Sequence, residues 1–291
     1  MKNSVWIAKN TASLVGKTVA VSGSTGGLGR VLCEYLAALG ADLILLDRNV
    51  KKSDALRCEL QRKFPALSVR QILLDLEDVE STKRAADTLL ETPPDYLVLN
   101  AGAYYIPKHE CALGYNNIFQ INFISPYYLA RRLLPSISAR GGKVVAVGSI
   151  AHNYSKINPQ DADFSSVRAA SKVYGNAKRF LMFSLYGLLD KGKVSITHPG
   201  ITVTGITAHY PKPIYAIIKY PMKLIFMSPR SAALSILRGL FEDSGECEWI
   251  GPRVFNVWGL PKKKKLKTCS ADEIEQIQSI ADGIYEKMRT I

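Results

Sequence analysis

The chain is poor in the side chains that hold metals or covalent bridges. Its four histidines are separated singles, and its five cysteines, Cys33, Cys58, Cys111, Cys247 and Cys269, have no Cys-x-x-Cys spacing. A disulfide framework or a zinc ribbon is thereby excluded as the basis of the fold, and no metal site is expected. An odd, dispersed set of thiols fits a reducing compartment. Long apolar runs are also lacking: no window reaches the roughly 18 consecutive apolar residues of a spanning helix. The N-terminal stretch carries Lys2 and Lys9 without an apolar core or small-residue cleavage site, so it reads as a short arm lying on the fold. A cytoplasmic protein is the expectation. Acids are fewer than bases, 25 against 38, for a formal charge of +13. The lysine run 262-KKKKLK-267 has no interleaved aromatics and reads as a solvated loop, so nucleic acid is not an expected partner.

The remaining composition suits one large core. With 291 residues and 47% hydrophobic content, the chain has no sharp shift in composition and no internal repeat, which argues for a single domain over 1–291. Apolar strand candidates alternate with helical ones through residue 200. The expected fold class is therefore α/β, a doubly wound parallel sheet with helices on both faces.

The first such unit is chemically specific. The strand candidate 18-TVAVSG-23 runs into 22-SGSTGGLG-29 and then the periodic stretch 30-RVLCEYLAALG-40, the strand, glycine turn and helix order that a phosphate cradle requires. Gly23 would allow the tight turn, Gly27 a close approach of backbone to a pyrophosphate, and Gly29 close packing of helix on sheet. The second strand, 42-DLILLD-47, ends in Asp47, where a carboxylate would accept hydrogen bonds from the adenosine ribose. Arg48 follows it, and a guanidinium there would clamp a 2′-phosphate. With the acid nearest the ribose, NAD is favoured over NADP.

A second constellation lies downstream. The buried-strand candidate 144-VVAVGS-149 ends in Ser149, and 174-YGNAK-178 reads as helix, with Tyr174 and Lys178 one turn apart on one face. A nearby ammonium lowers a phenol's pKa from its ordinary value of about 10. Tyr174 would then exchange a proton with a carbonyl oxygen that Ser149 holds.

Taken together these segments resemble the short-chain dehydrogenase/reductase family over roughly residues 15 to 260. The resemblance rests on 22-SGSTGGLG-29, Asp75 in 72-ILLDLED-78, 97-LVLNAG-102, Asn122 in 118-IFQINFISP-126, Ser149, 174-YGNAK-178 and 198-HPGITVT-204. The segment 113-LGYNNIFQINFISPYYLARRLLP-135 and the twenty-five positions between Ser149 and Tyr174 are most similar to the branch that includes retinol dehydrogenases and protochlorophyllide reductases. The resemblance implies a Rossmann fold, an NAD(P) cofactor and hydride transfer. It implies Tyr174 as acid/base, Lys178 as the residue that lowers its pKa and binds the nicotinamide ribose, and Ser149 as the carbonyl-orienting group. Asn122 would interrupt its helix and hold a relay water. Asp75 and Leu76 would meet the adenine, Asn100, Ala101 and Gly102 would line the cofactor site, and Pro199, Gly200 and Thr204 would meet the carboxamide end. Ser22 and Leu28 complete the expected glycine-turn contacts, Ser22 standing where the family more often has threonine.

Substrate choice is expected from residues 205–230, beyond a cofactor-binding and catalytic core over 15–205. The stretch 210-YPKPIYAIIKYPMKLIFMSPR-230 is apolar, broken by four prolines and flanked by Lys212, Lys219 and Lys223. It suits a lid over a small lipophilic substrate and, as a second reading, peripheral contact with an anionic bilayer. Ser270 and Glu273 form a capping-box pattern before a helical stripe of Ile274, Ile277, Ala281, Ile284 and Met288 within 270–290. That stripe needs a partner surface, either the body of the fold or a second subunit in a homo-oligomer. Two other classes compete with an active oxidoreductase. One is a non-catalytic dinucleotide sensor or scaffold. The other is a sugar-nucleotide epimerase, against which the glycine spacing counts.

Overall fold

The computed structural model describes residues 3–202, 226–268 and 270–291. Thr204, Cys269 and most of the expected lid lie outside the described residues. A helix, α1 (Asn3–Asn10), precedes the first strand and buries Trp6, so the N-terminal arm is helical and anchored. Then come β1 (Thr18–Ser22), α2 (Gly27–Ala38), β2 (Asp42–Asp47), α3 (Val50–Lys63), β3 (Val69–Leu73), α4 (Val79–Glu91) and β4 (Tyr96–Leu99). A short α5 (Asn117–Phe119) passes through a π-helical turn, Gln120–Ile124, into α6 (Ser125–Ala139). The remaining elements are β5 (Lys143–Val147), α7 (Ala170–Tyr186), β6 (Val194–Thr197), α8 (Pro229–Phe241), β7 (Glu248–Val254), β8 (Trp258–Lys265) and α9 (Ala271–Thr290).

Strands apolar at nearly every position are strands covered on both faces, and β1, β2, β4, β5 and β6 are almost wholly buried. Successive side chains of each strand go to opposite sides. Ala20, Ile44, Leu97, Val144 and Ile196 join a core with α4, α6, α7 and α9, whereas Val19, Leu43, Val98 and Val145 join one with α1, α2, α3 and α8. The sheet runs β3-β2-β1-β4-β5-β6-β7-β8. It is parallel throughout except for β8, which is antiparallel to β7. The doubly wound α/β reading is thus the observed architecture. Strand order reverses between β1 and β4, and in such sheets ligands bind in the crevice beyond the carboxyl ends at that switch point.

Two expectations meet definite outcomes. The lysine run is not a loop: Lys262, Lys263, Lys264 and Lys265 belong to β8, the edge strand. Lysines and Pro261 on an edge discourage pairing with another sheet, which gives the run a physical reason unrelated to nucleic acid. The C-terminal stripe is covered by its own fold, with Ile274, Ile277, Ala281, Ile284 and Met288 all in the core that holds α7. Ser270 caps α9 by accepting from the Glu273 amide at 3.3 Å. The Glu273 carboxylate, however, turns to Arg179 on α7.

Candidate active site

The floor of the crevice is built by hydroxyl and amide groups that stitch β1 to β4. Ser22 Oγ donates to the Val98 carbonyl at 3.3 Å and accepts the amides of Asn100 and Ala101, both at 3.0 Å. Asn100 Nδ2 returns to the carbonyls of Ser22 and Gly23 at 3.0 and 3.2 Å. Gly23 has φ +65°, and a Cβ there would lie 3.0 Å from Ala101. A Cβ on Gly29 would fall 2.2 Å from the Gly23 carbonyl oxygen, so the first turn of α2 can sit against the strand exit only with glycine there. The N-cap of α2 is Gly26, with no side-chain cap, and Gly26 and Gly27 are exposed. Bare amides at the positive end of a helix are the donor set a pyrophosphate needs. The glycine turn therefore fits a dinucleotide.

Asp47 does something other than expected. Its Oδ1 accepts the Thr25 amide and hydroxyl, each at 3.1 Å, and its Oδ2 accepts Ser24 Oγ at 2.5 Å and Ser53 Oγ at 3.0 Å. Four donors fill the roughly four lone-pair sites of a carboxylate. The side chain is buried and ties the end of β2 to the glycine turn and to α3, with no acceptor left facing a ribose. Arg48, next to it, is exposed. Asp75 is half-buried and accepts the Glu77 amide at 3.1 Å, and Leu76 is buried beside it.

The proposed reacting groups converge from three elements. Ser149 follows β5 and caps a 3-10 turn, Ile150–Tyr154, accepting the Ala151 amide at 3.2 Å. Tyr174 lies in the second turn of α7, near enough for the Ser149 hydroxyl to act on its phenol, and with its ring edge-on to Tyr104, centroids 5.0 Å apart. What lets them meet is Gly175, where a Cβ would fall 2.2 Å from the Ala151 carbonyl oxygen. The helix thus presses its backbone against the turn that Ser149 caps. Burial pushes the Tyr174 phenol up to about 12, and the Ser149 hydrogen bond only partly opposes it. Lys178 is buried, donates to the Val147 carbonyl at 2.9 Å, and lies 5.8 Å from the centre of the Tyr174 ring. Burial brings its pKa down to about 8. The expected depression of the phenol by Lys178 is therefore absent from the protein by itself.

Asn122 sits inside the π-helical turn, as the interrupted helix required. Its Nδ2 donates to the carbonyls of Ala103 and Ile118 at 2.7 and 2.8 Å, and its Oδ1 accepts the Ala103 amide at 3.1 Å. It pins the strand exit of β4 across from Lys178, and a Cβ on Gly102 would lie 2.7 Å from its Oδ1 and 3.5 Å from Lys178 Nζ. Pro199 and Gly200 follow β6, Gly200 with φ +83°. Sequence reading missed the phenols of Tyr104 and Tyr154, which act electrostatically on Tyr174 and hence stand beside it. For Tyr104 the pair 104-YY-105, one residue past 97-LVLNAG-102, was the available signal.

One cluster runs against the expectation of no metal-ligating group. Ligand atoms of Glu77, His109 and Cys111 lie within 4.8 Å of one another. Asn117 argues against metal capture there: its Oδ1 accepts the His109 amide, so its Nδ2 donates to His109 Nδ1 and fixes the proton on Nε2, which meets Glu77 at 2.7 Å. A metal on Nε2 would require the proton on Nδ1, facing a donor.

Comparison with known proteins decides the family. The family model described as short chain dehydrogenase matches residues 17–212. The chain belongs to the short chain dehydrogenase family. It is 36% identical over 167 residues to the short chain dehydrogenase rstn4 of Aspergillus nomiae, covering 53% of this chain and 45% of that protein. It is 28% identical over 221 residues to retinol dehydrogenase 14 of Mus musculus, covering 69% and 66%. The matched stretches thus take in less than two thirds of either relative. Among solved structures, an uncharacterized protein from Mycobacterium Paratuberculosis superposes with a TM-score of 0.75 at 23% identity, covering 96% of this chain and 97% of the other. Membership in this family, with a retinol dehydrogenase among the relatives, agrees with the branch that the motifs resemble.

Proposed function

We propose that this short chain dehydrogenase is an NAD(P)-dependent oxidoreductase acting on a lipophilic alcohol, ketone or aldehyde, with Tyr174 as the proton-transferring group. The observation that carries the reading is the meeting of Ser149 and Tyr174 at the carboxyl end of the sheet, where Gly175 lets α7 press against the turn that Ser149 caps, with Lys178 one turn behind. When bound, the nicotinamide supplies or receives hydride. Ser149 holds the substrate oxygen, and Tyr174 gives that oxygen a proton in reduction or takes one in oxidation. Lys178 and Asn122 hold the nicotinamide side of the crevice, and the bare amides of α2 take the pyrophosphate. Tyr104 and Tyr154 stand by the phenol and offer ring surface to an apolar substrate.

The cofactor reading changes from NAD to NADP. With both Asp47 oxygens engaged by Ser24, Thr25 and Ser53, the charged group left at the end of β2 is the exposed Arg48. A guanidinium there favours a 2′-phosphate by charge-assisted hydrogen bonds. Arg48→Ala is expected to weaken NADPH binding by roughly 10- to 100-fold and to leave NADH binding nearly unchanged. Asp47→Ala should weaken both cofactors alike, since it loosens the glycine turn. Selective loss of NADH in Asp47→Ala would return the ribose to Asp47.

The chemical assignment is tested with Tyr174→Phe. The variant should bind the cofactor as the parent does, followed by nicotinamide fluorescence, and lose about 10²–10⁴-fold in turnover. A near-normal rate removes Tyr174 from the mechanism.

A further inference from the structure

The hairpin of β7 and β8 carries an apolar tip that the fold itself does not need. Its turn is Val254–Val257, closed by the Val257 amide donating to the Val254 carbonyl at 2.9 Å. The two central residues, Phe255 and Asn256, have φ of +47° and +59°, the left-handed pair of a primed two-residue turn. Asparagine tolerates that region, but a bulky residue there is strained. Phe255 is nonetheless at the first central position and 80% exposed, and Val254 and Trp258 beside it are 37% and 39% exposed. The position thus combines two costs, backbone strain and apolar exposure, and neither stabilises the fold.

The tip is held rigidly. Lys264 Nζ donates to the Pro252 carbonyl at 2.5 Å and to Asn256 Oδ1 at 2.8 Å, and His198 Nε2 donates to the Asn256 carbonyl at 3.0 Å. The carbonyl of Val257 lies 2.8 Å from where a Cβ on Gly200 would be, so the turn abuts the loop that follows β6 at the carboxyl end of the sheet. Its charged neighbours are cations. Arg253 is exposed and lies over Gly259, Lys264 ties the turn, and Lys262 is exposed on β8. Among the described residues no carboxylate pairs with Arg253, Lys262 or Lys264, whereas Lys263 pairs with Glu242 and Glu248 toward the other end of the hairpin. Lys264 is held below its ordinary pKa by burial and by repulsion from Lys262, a repulsion that an anionic surface would relieve.

We propose that this tip docks on an anionic lipid surface, with Phe255 entering the headgroup boundary, the exposed Arg253 and Lys262 facing lipid phosphates and carboxylates, and Lys264 holding the turn in place behind them. An aromatic wedge ringed by cations is the chemistry of interfacial membrane binding, and docking there would set the carboxyl end of the sheet against the bilayer. The inference is independent of the proposed oxidoreductase activity, because binding is read without turnover.

The test uses the full chain and co-sedimentation with phosphatidylcholine vesicles, with and without phosphatidylserine. The parent should bind the anionic vesicles and release in high salt. Phe255→Asn should bind roughly tenfold more weakly, and Arg253→Gln roughly fivefold. Because asparagine suits the left-handed turn, Phe255→Asn should also raise Tm by about 2 °C. Absence of vesicle binding by the parent, or unchanged binding by Phe255→Asn, overturns the proposal. A lower Tm in Phe255→Asn would mean that the ring is covered by this chain's own residues. A parent dimer that Phe255→Asn dissociates in sedimentation velocity would assign the tip to a second copy. Either result also overturns it.

Discussion

The Tyr174 phenol is held protonated by its surroundings: burial raises it to about 12, and the hydroxyl of Ser149 is the one opposing influence. A protonated phenol is ready to donate, so in the proposed mechanism reduction of a carbonyl needs no prior ionisation. Oxidation needs the phenolate, and its fraction grows about tenfold for each pH unit below the pKa. Alcohol oxidation is therefore expected to climb steadily from pH 7 to 9 while carbonyl reduction stays nearly flat up to about pH 7, above which Lys178, brought to about 8 by burial, progressively loses its charge. Initial rates in both directions across that range check this, and a flat oxidation profile would mean that the bound cofactor lowers the phenol well below its value in the protein alone. At this scale the sequence was informative about spacing and silent about direction. The placement of Tyr174 and Lys178 together on α7 was legible because a helix puts i and i+4 on one face. Asp47 was misread because an acid at a strand end looks the same whether it faces a ligand or its own loop. Three hydroxyls decide the matter, and Ser53 lies one element further on, in α3.

Between elements, the alignment of Ser149 with Tyr174 depends on how closely α7 meets the 3-10 turn after β5. Gly175 in a helix interior costs about 1 kcal/mol relative to alanine, and here it permits a contact in which a Cβ would lie 2.2 Å from the Ala151 carbonyl. The opposing atom is backbone, so it cannot swing aside. Gly175→Ala is expected to lower stability by about 1–3 kcal/mol through overpacking and to cut turnover at least tenfold, with cofactor affinity retained because the glycine turn is untouched. Urea unfolding, turnover and nicotinamide fluorescence together test it. Normal turnover in a destabilised Gly175→Ala would show that the contact serves packing alone. The helix 270–290 was legible from its stripe and its Ser270 cap, and β8 was not. Four lysines in a row carry no period of two, and only the hairpin turn at Phe255–Asn256, which lacks the usual glycine, brings them back along β7. Similarly, the partner that Glu273 takes, Arg179, could not be read from a local capping pattern because it comes from α7.

Over the whole molecule, a buried stack of three rings, two of them imidazoles, lies beside the carboxyl end of β6 and the start of β7. Trp249 lies flat against His198, centroids 4.9 Å apart, and edge-on to His152 at 5.4 Å. His152 Nδ1 donates to the Ser149 carbonyl at 2.7 Å and its Nε2 accepts from Thr268 at 3.0 Å, which fixes a neutral ring. Burial takes both imidazoles down to about 4. In the unfolded chain they titrate near 6.5, so between about pH 6.5 and 4 the unfolded state holds protons that the folded state does not. Stability therefore falls as pH drops through that window and is fully present above it. Each ring accounts for about 2 kcal/mol lost between pH 6.5 and 5, given about 1.36 kcal/mol per unit. Asp95 and Glu34, which ion pairs and hydrogen bonds hold below their ordinary values of 3.8 and 4.5, act mainly below those values and leave the stretch from pH 6.5 to 5 to the histidines. Urea midpoints at pH 7 and pH 5 should thus differ markedly in the parent and much less in His152→Gln/His198→Gln, whose amides cannot take up a proton. If the double variant loses as much as the parent, the acid sensitivity belongs to other groups, and the stack on Trp249 is a packing feature with no part in the protein's pH response.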